Sequence, residues 1–164
     1  MRLVYLIILG TFITISCTKE NGGNQHIQHI DSLLTEIDTL NSKLKKIDIE
    51  PVIQLNDSVE QEIENTSSIQ KTKKLQTIQN HTHTIIQWYD DVYQEVILNK
   101  NFLEKTKKEA VSGKINDSTM LNKIEKEDTI FSNMKPRIEE QIIKLDQEIN
   151  NIKQQYLNKK SDQN

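Results

Sequence analysis

Apolar residues recur along this chain at alternating steps of three and four. Ile30, Leu33, Ile37, Leu40, Leu44 and Ile47 follow steps of 3, 4, 3, 4 and 3. That is the a/d seam of a heptad repeat, which buries one stripe of a helix against a neighbour. Asn24, just after Gly22-Gly23, is a candidate N-cap for this helix. Pro51 interrupts the pattern, because proline disfavours helical backbone at Glu50 and cannot donate a hydrogen bond. The helix is expected to kink or restart there. Val52, Leu55, Val59 and Ile63 resume the spacing. The run Asn65-Thr66-Ser67-Ser68 reads as a turn, with Ser67 or Ser68 capping the next helix.

A second arm carries Leu75, Ile78, Ile85, Tyr89, Val92, Val96 and Leu103. Val111 to Asp117, with Gly113 inside it and a cap residue at its end, is the next connection. The third arm shows Leu121, Ile124, Phe131, Ile138, Ile142, Leu145, Ile149, Ile152 and Tyr156. In that frame Asp128 and Lys135 occupy seam positions, and Pro136 is expected to kink the arm. The arms, about 24–65, 68–110 and 118–158, are nearly equal in length. Short connections between equal arms predict an all-α fold: an elongated antiparallel three-helix bundle or coiled coil, up-down-up. The competing arrangement is one continuous helix through 66–68, giving unequal arms.

Composition sharpens this picture. The chain has 164 residues, of which 35% are hydrophobic. A typical globular domain has ~45–50% apolar residues, Gly included. Low hydrophobicity alone would suggest disorder, but the regular spacing argues for a thin helical core. A net charge of −3, from 21 Lys+Arg against 24 Asp+Glu, gives no reason to expect a nucleic-acid partner. Lys71, Lys73 and Lys74 form only a short basic cluster. One cysteine excludes an internal disulfide scaffold.

The N-terminus differs in kind. Met1-Arg2 is a short basic start, followed by the uncharged, mostly apolar run Leu3 to Ile15. As a helix that run spans roughly 20 Å, short of the ~30 Å hydrocarbon core, so it suits a signal-peptide h-region. Thr14-Ile15-Ser16-Cys17 then resembles the lipobox of bacterial lipoproteins, with Thr14 where that family usually has Leu. The resemblance implies that residues 1–16 are cleaved, that Cys17 is lipidated, and that 17–23 form a short tether to the bundle. An ordinary cleaved signal or an uncleaved anchor are the alternatives. Thr18 stands where an Asp would imply inner-membrane retention, so the resemblance points to the outer membrane. Lys19-Glu20 is similar to a short surface-export tag, which leaves the periplasmic face and the cell surface both open.

The first arm, with Asp31, Ser32, Leu33, Leu34, Ile37, Asp38 and Leu40, is similar to small helical lipoproteins of Gram-negative bacteria. That likeness implies no activity. The tether places the start of the first helix near the membrane, the turn at 65–68 away from it, and the 111–117 loop back toward it. Residues 159–164 are expected to be a disordered tail.

Candidate chemistry is sparse. His26 and His29, at i and i+3, share a helix face and are weak metal-ligand candidates. His81 and His83, at i and i+2, diverge. Trp88, Tyr89, Tyr93 and Phe102 gather aromatics within a short stretch. Tyr89 falls on the seam. Trp88 and Tyr93 flank it, either covering its edge or, with Tyr89, forming a partner-binding patch. Glu125/Glu127 and Glu139-Glu140 read as solvated helix faces. No catalytic constellation and no cofactor is expected, because a narrow bundle rarely builds the convergent pocket an enzyme needs.

Three function classes follow. The first is a membrane-anchored, non-enzymatic module that binds a protein partner or acts as a spacer. The second is an envelope-maintenance protein associated with peptidoglycan, although Lys159 to Asn164 lacks the terminal Lys of the major murein-linked lipoprotein. The third is a metal carrier or catalyst. An exposed seam also allows a homo-oligomer.

Overall fold

The computed structural model describes residues 21–157. The expected signal peptide, Cys17, the first part of the expected tether and residues 159–164 lie outside the described residues. Four α-helices pack together: α1 Asn21–Leu44, α2 Glu50–Asn65, α3 Ile69–Val111 and α4 Asp117–Ile152. A short π-helical stretch, Lys153–Leu157, continues α4. Among the described residues there is no strand. At 1.5 Å per residue α3, with 43 residues, is about 64 Å long.

The helix boundaries have local causes. α1 begins at Asn21, so Gly22 and Gly23 lie inside the helix and Asn24 is not its cap. Pro51 produces a restart. Its ring would clash with the carbonyl four residues back, so α1 stops at Leu44, and Pro51 sits in the first turn of α2, where no partner N–H is needed. Residues 66–68 are not helical, which excludes one continuous helix there. Thr66 is extended, and the Ser68 hydroxyl accepts from the Lys71 N–H at 3.4 Å to cap α3.

α3 ends in a Schellman motif. The Gly113 N–H donates to the Ala110 carbonyl and the Lys114 N–H to the Glu109 carbonyl. Gly113 takes φ +67, the left-handed conformation this motif requires. The cap of α4 is Asn116, whose side chain accepts from the Thr119 N–H at 2.8 Å, one residue before the expected Asp117. α4 runs unbroken past Pro136.

α3 packs against α1, α2 and α4, and α1 also packs against α4. The whole α1 seam, Ile30 to Ile47, is buried as its spacing predicts. On α3 the buried series includes Leu75, Ile85, Val92, Val96 and Leu103, and two small polar residues, Thr82 and Thr106, complete it at heptad steps. The third-arm frame needs correction. Met120, Glu127 and Met134 are buried in place of Leu121, Asp128 and Lys135. Leu121 is 40% exposed.

Asp128 and Lys135 lie one residue outside the seam and reach across to α1. Asp128 meets His29 at 2.7 Å, and Lys135 donates to Glu36 at 2.6 Å. Lys43–Glu139 at 2.8 Å continues the series, so His29, Glu36 and Lys43 form a seven-residue column along α1. On its other flank Asp31 pairs with Lys107 and Asp38 with Lys100, again seven apart. Pair order rises together along α1 and α4 and in opposite directions along α1 and α3.

Candidate functional site

The helix–helix flanks place the side chains of greatest chemical interest. His81, Trp88, Glu95, Phe102 and Glu109 recur every seven residues along α3, so they form one column beside its seam. Three of them are ion-paired to α4: Glu109 with Lys123 at 2.7 Å, Glu95 with Arg137, and His81 with Glu148 at 3.8 Å. The two aromatics alternate with these charges. Trp88 is half-buried and packed on the core. Phe102 is 41% exposed.

Phe102 borders a groove of about 320 Å³ between α3 and α4. Leu98, Asn99 and Phe102 line it from α3, and Lys126, Glu127 and Ile130 from α4. Leu98 and Phe102 are one helical turn apart and therefore share a face. Leu98 is 64% exposed and Ile130 39%. The result is an apolar rim shared by α3 and α4.

Glu127 differs from every other carboxylate described. It occupies a seam position between Ile124 and Phe131 and is only 7% exposed. Among the described residues it makes no hydrogen bond and no ion pair. Burial pushes its carboxyl above the usual range, and the nearby Lys126 charge works against that rise. The expectation of a solvated face at Glu125/Glu127 is therefore wrong for Glu127. The groove combines an apolar rim with a largely buried acid that has no partner among the described residues. A larger groove, about 490 Å³, opens beside Leu34, Lys107 and Val111, but Lys107 there is already paired with Asp31.

The other residues singled out from the sequence fall elsewhere. Tyr89 and Tyr93 stack with ring centroids 6.4 Å apart and planes 7° apart. Both, with Trp88, are partly buried against the core. Burial, then Tyr93 and Asp90, raise the Tyr89 hydroxyl pKa. His29 is engaged by both carboxylate oxygens of Asp128 at 2.7 Å, while His26 is half-buried on the same helix. Among the described residues no group of three or more His, Cys, Asp or Glu could hold a metal ion.

The groove was absent from the sequence reading, although a signal for it existed. Counting Met120, Ile124, Glu127, Phe131, Met134 and Ile138 gives unbroken steps of 4, 3, 4, 3 and 4, which place Glu127 in the seam. Among the described residues, no helix is long and apolar enough to cross a membrane. Comparison with known proteins found no matching family model, no matching curated protein and no matching solved structure.

Proposed function

We propose that this chain is a membrane-anchored, non-enzymatic helical lipoprotein that acts as a protein-interaction or spacer module at the cell envelope. In this reading Cys17 carries the lipid, and the protein belongs to the outer membrane, on the periplasmic face or the cell surface. The arms at 24–65, 68–110 and 118–158 run up-down-up as a slender rod. The observation that carries the reading is the shared heptad core of α1, α3 and α4, flanked by ion pairs at seven-residue intervals. A core of this kind fixes the order and register of the arms while leaving long side faces open to a partner.

The tether supports the anchored geometry. Of the expected tether, residues 17–23, the described part from Asn21 onward is helical. The six residues from Thr18 to Gly23 reach at most about 20 Å, so in this reading the start of the first arm stands close to the bilayer. The Asp31–Lys107 pair holds the end of α3 at the same level. The 112–116 connection is then membrane-proximal, and the 66–68 turn is distal.

Mass spectrometry of the protein from its native membrane tests the anchor. Acyl mass on Cys17 is the expected result, and a free thiol overturns it. Protease shaving of intact cells, followed by crosslinking and pull-down, then separates the periplasmic face from the surface and captures the partner. A Cys17→Ser chain that stays with the membrane as firmly as the native one also sinks the reading.

A further inference from the structure

We propose that the α3/α4 groove is the docking site for an amphipathic partner helix that inserts one lysine or arginine among apolar side chains, with its cation meeting Glu127. The proposal rests on the reading of the bundle as an interaction module. It is independent of how the chain is anchored.

The groove's own chemistry selects this occupant. Its rim is apolar, with Leu98, Phe102 and Ile130 exposed on both sides of a volume of about 320 Å³. That size lies at the lower end of ligand pockets and suits a few side chains. An amphipathic helix presents such side chains at i, i+3 and i+4. Glu127, a residue only 7% exposed, lines the same groove and has no hydrogen bond or ion pair among the described residues.

Covering that acid with a purely apolar partner would remove its remaining water and give nothing in return. An anionic partner would add repulsion. A cation gains a charge-assisted hydrogen bond in a site of low effective dielectric. The cation must pass between the exposed Leu98, Phe102 and Ile130 side chains to meet Glu127. Lysine and arginine carry apolar stems with the charge at the tip, which matches a groove that sets exposed apolar side chains beside one largely buried acid. Phe102 at the rim adds a ring face that attracts the same cation. Lys126 lines the groove too, so discrimination depends on the local pairing at Glu127 and not on a broad acidic surface.

The test uses the purified full chain and two fluorescein-labelled helical peptides. The peptides are identical Leu/Ala/Gln helices except for the centre of the apolar face, which is lysine in one and norleucine in the other. Fluorescence anisotropy is expected to show the lysine peptide binding at least tenfold tighter. Glu127→Gln should erase that preference while keeping the helical circular-dichroism signal and a thermal midpoint no lower than the native one, because the change removes a buried charge. Phe102→Ala should weaken both peptides. Glu127→Leu, an apolar replacement of the same acid, should reverse the preference toward norleucine.

Equal binding of the two peptides by the native chain would overturn the proposal, as would a lysine preference that survives Glu127→Gln. Concentration-dependent self-association that excludes the peptide and disappears in Phe102→Ala would also overturn it, in favour of a second copy as occupant. None of these outcomes depends on Cys17 acylation or on shaving, so the inference and the envelope reading fail separately.

Discussion

The trunk, where α1, α3 and α4 lie together, and the far hairpin of α2 and α3 are built from similar residues but bury them differently. In the trunk Ile30, Ile37, Leu44, Val96, Ile138 and Leu145 are fully buried. In the hairpin Ile63 and Ile78 are only half-buried, and Ile69 at its end is 76% exposed. Val59 and Leu75 are buried but stand outside the main core cluster. Near the boundary the Thr82 hydroxyl donates to the Asn56 side-chain oxygen at 2.8 Å, a polar layer in the α2/α3 seam. Two helices can cover only one stripe of each other. A third helix closes the remaining side, and the same heptad pattern then yields a dry core. Spacing fixes which face is sticky, and the number of neighbours decides how far that face is dehydrated.

The largest expected effect follows from this contrast. Ile138→Ala, at a fully buried trunk site, should cost about 2–5 kcal/mol, the range for deleting a large aliphatic side chain from a core. Val59→Ala in the hairpin removes less volume at a site that can relax, and should cost clearly less. Chemical denaturation of both variants checks the ordering. Equal costs would mean that the hairpin is packed as tightly as the trunk. Hydrogen exchange sharpens the point without mutation. Amides of α2 and of α3 before Thr82 should exchange by smaller openings than those between Ile85 and Leu103.

Glu127 provides the next test, because it places a charge inside the better-packed region. Its carboxyl pKa is raised in the fold, mainly by desolvation. The neutral form therefore favours the folded state. The stability linked to this group is fully present below the ordinary carboxylate pKa and is lost as pH rises through the raised folded value. At pH 7 Glu127→Gln should stabilise the bundle, on the order of 1 kcal/mol as for other replaced buried charges. The gain should fade toward acid pH. The opposite sign applies to Glu109 and Glu139, whose pKa values are lowered chiefly by hydrogen bonds from Lys123 and Lys43. Their contribution is present above the ordinary pKa and is lost as pH falls through the lowered one. Comparing thermal midpoints of native and Glu127→Gln chains across pH 4–7 isolates the Glu127 part. A difference that does not change with pH would show that its charge is not the cause.

How much was legible in the sequence depended on which positions were polar. The α1 seam could be read completely, because six apolar residues in strict alternation leave no second frame. α4 offered two frames sharing Ile124, Phe131 and Ile138. One adds Leu121, Asp128 and Lys135, and the other Met120, Glu127 and Met134. Two methionines against one buried acid should have favoured the second frame. The first frame competes because Leu121 is more apolar in appearance than Met120 and because polar seam residues are familiar register devices. Thr82 and Thr106 were passed over on α3 for a related reason: a small hydroxyl residue fits a seam without looking apolar. The groove was harder to foresee. It requires Phe102 from α3 and Glu127 from α4 at one level, and only the relative register of the two helices supplies that.

The smallest expected effect concerns the flanks of α1, and it separates what charge pairs specify from what they stabilise. Asp38 and Lys100 meet at 2.7 Å, and that hydrogen bond is the main cause of the raised Lys100 pKa. Asp38 nevertheless remains about half exposed. Water and salt screen such a pair, and ordering two side chains offsets part of the attraction. A double-mutant cycle with Asp38→Asn and Lys100→Gln should return a coupling of about 0.5 kcal/mol, falling further in 1 M salt. Reversing one charge is a different experiment. Asp38→Lys sets two cations against each other beside a dry seam, while Asp31–Lys107 one heptad away holds the same two helices in register. The reversed variant should lose more than the neutralised one and recover when Lys100→Asp is added. A coupling several times larger in the first cycle, insensitive to salt, would mean that these flank pairs, and not the apolar seam between them, hold α1 to α3.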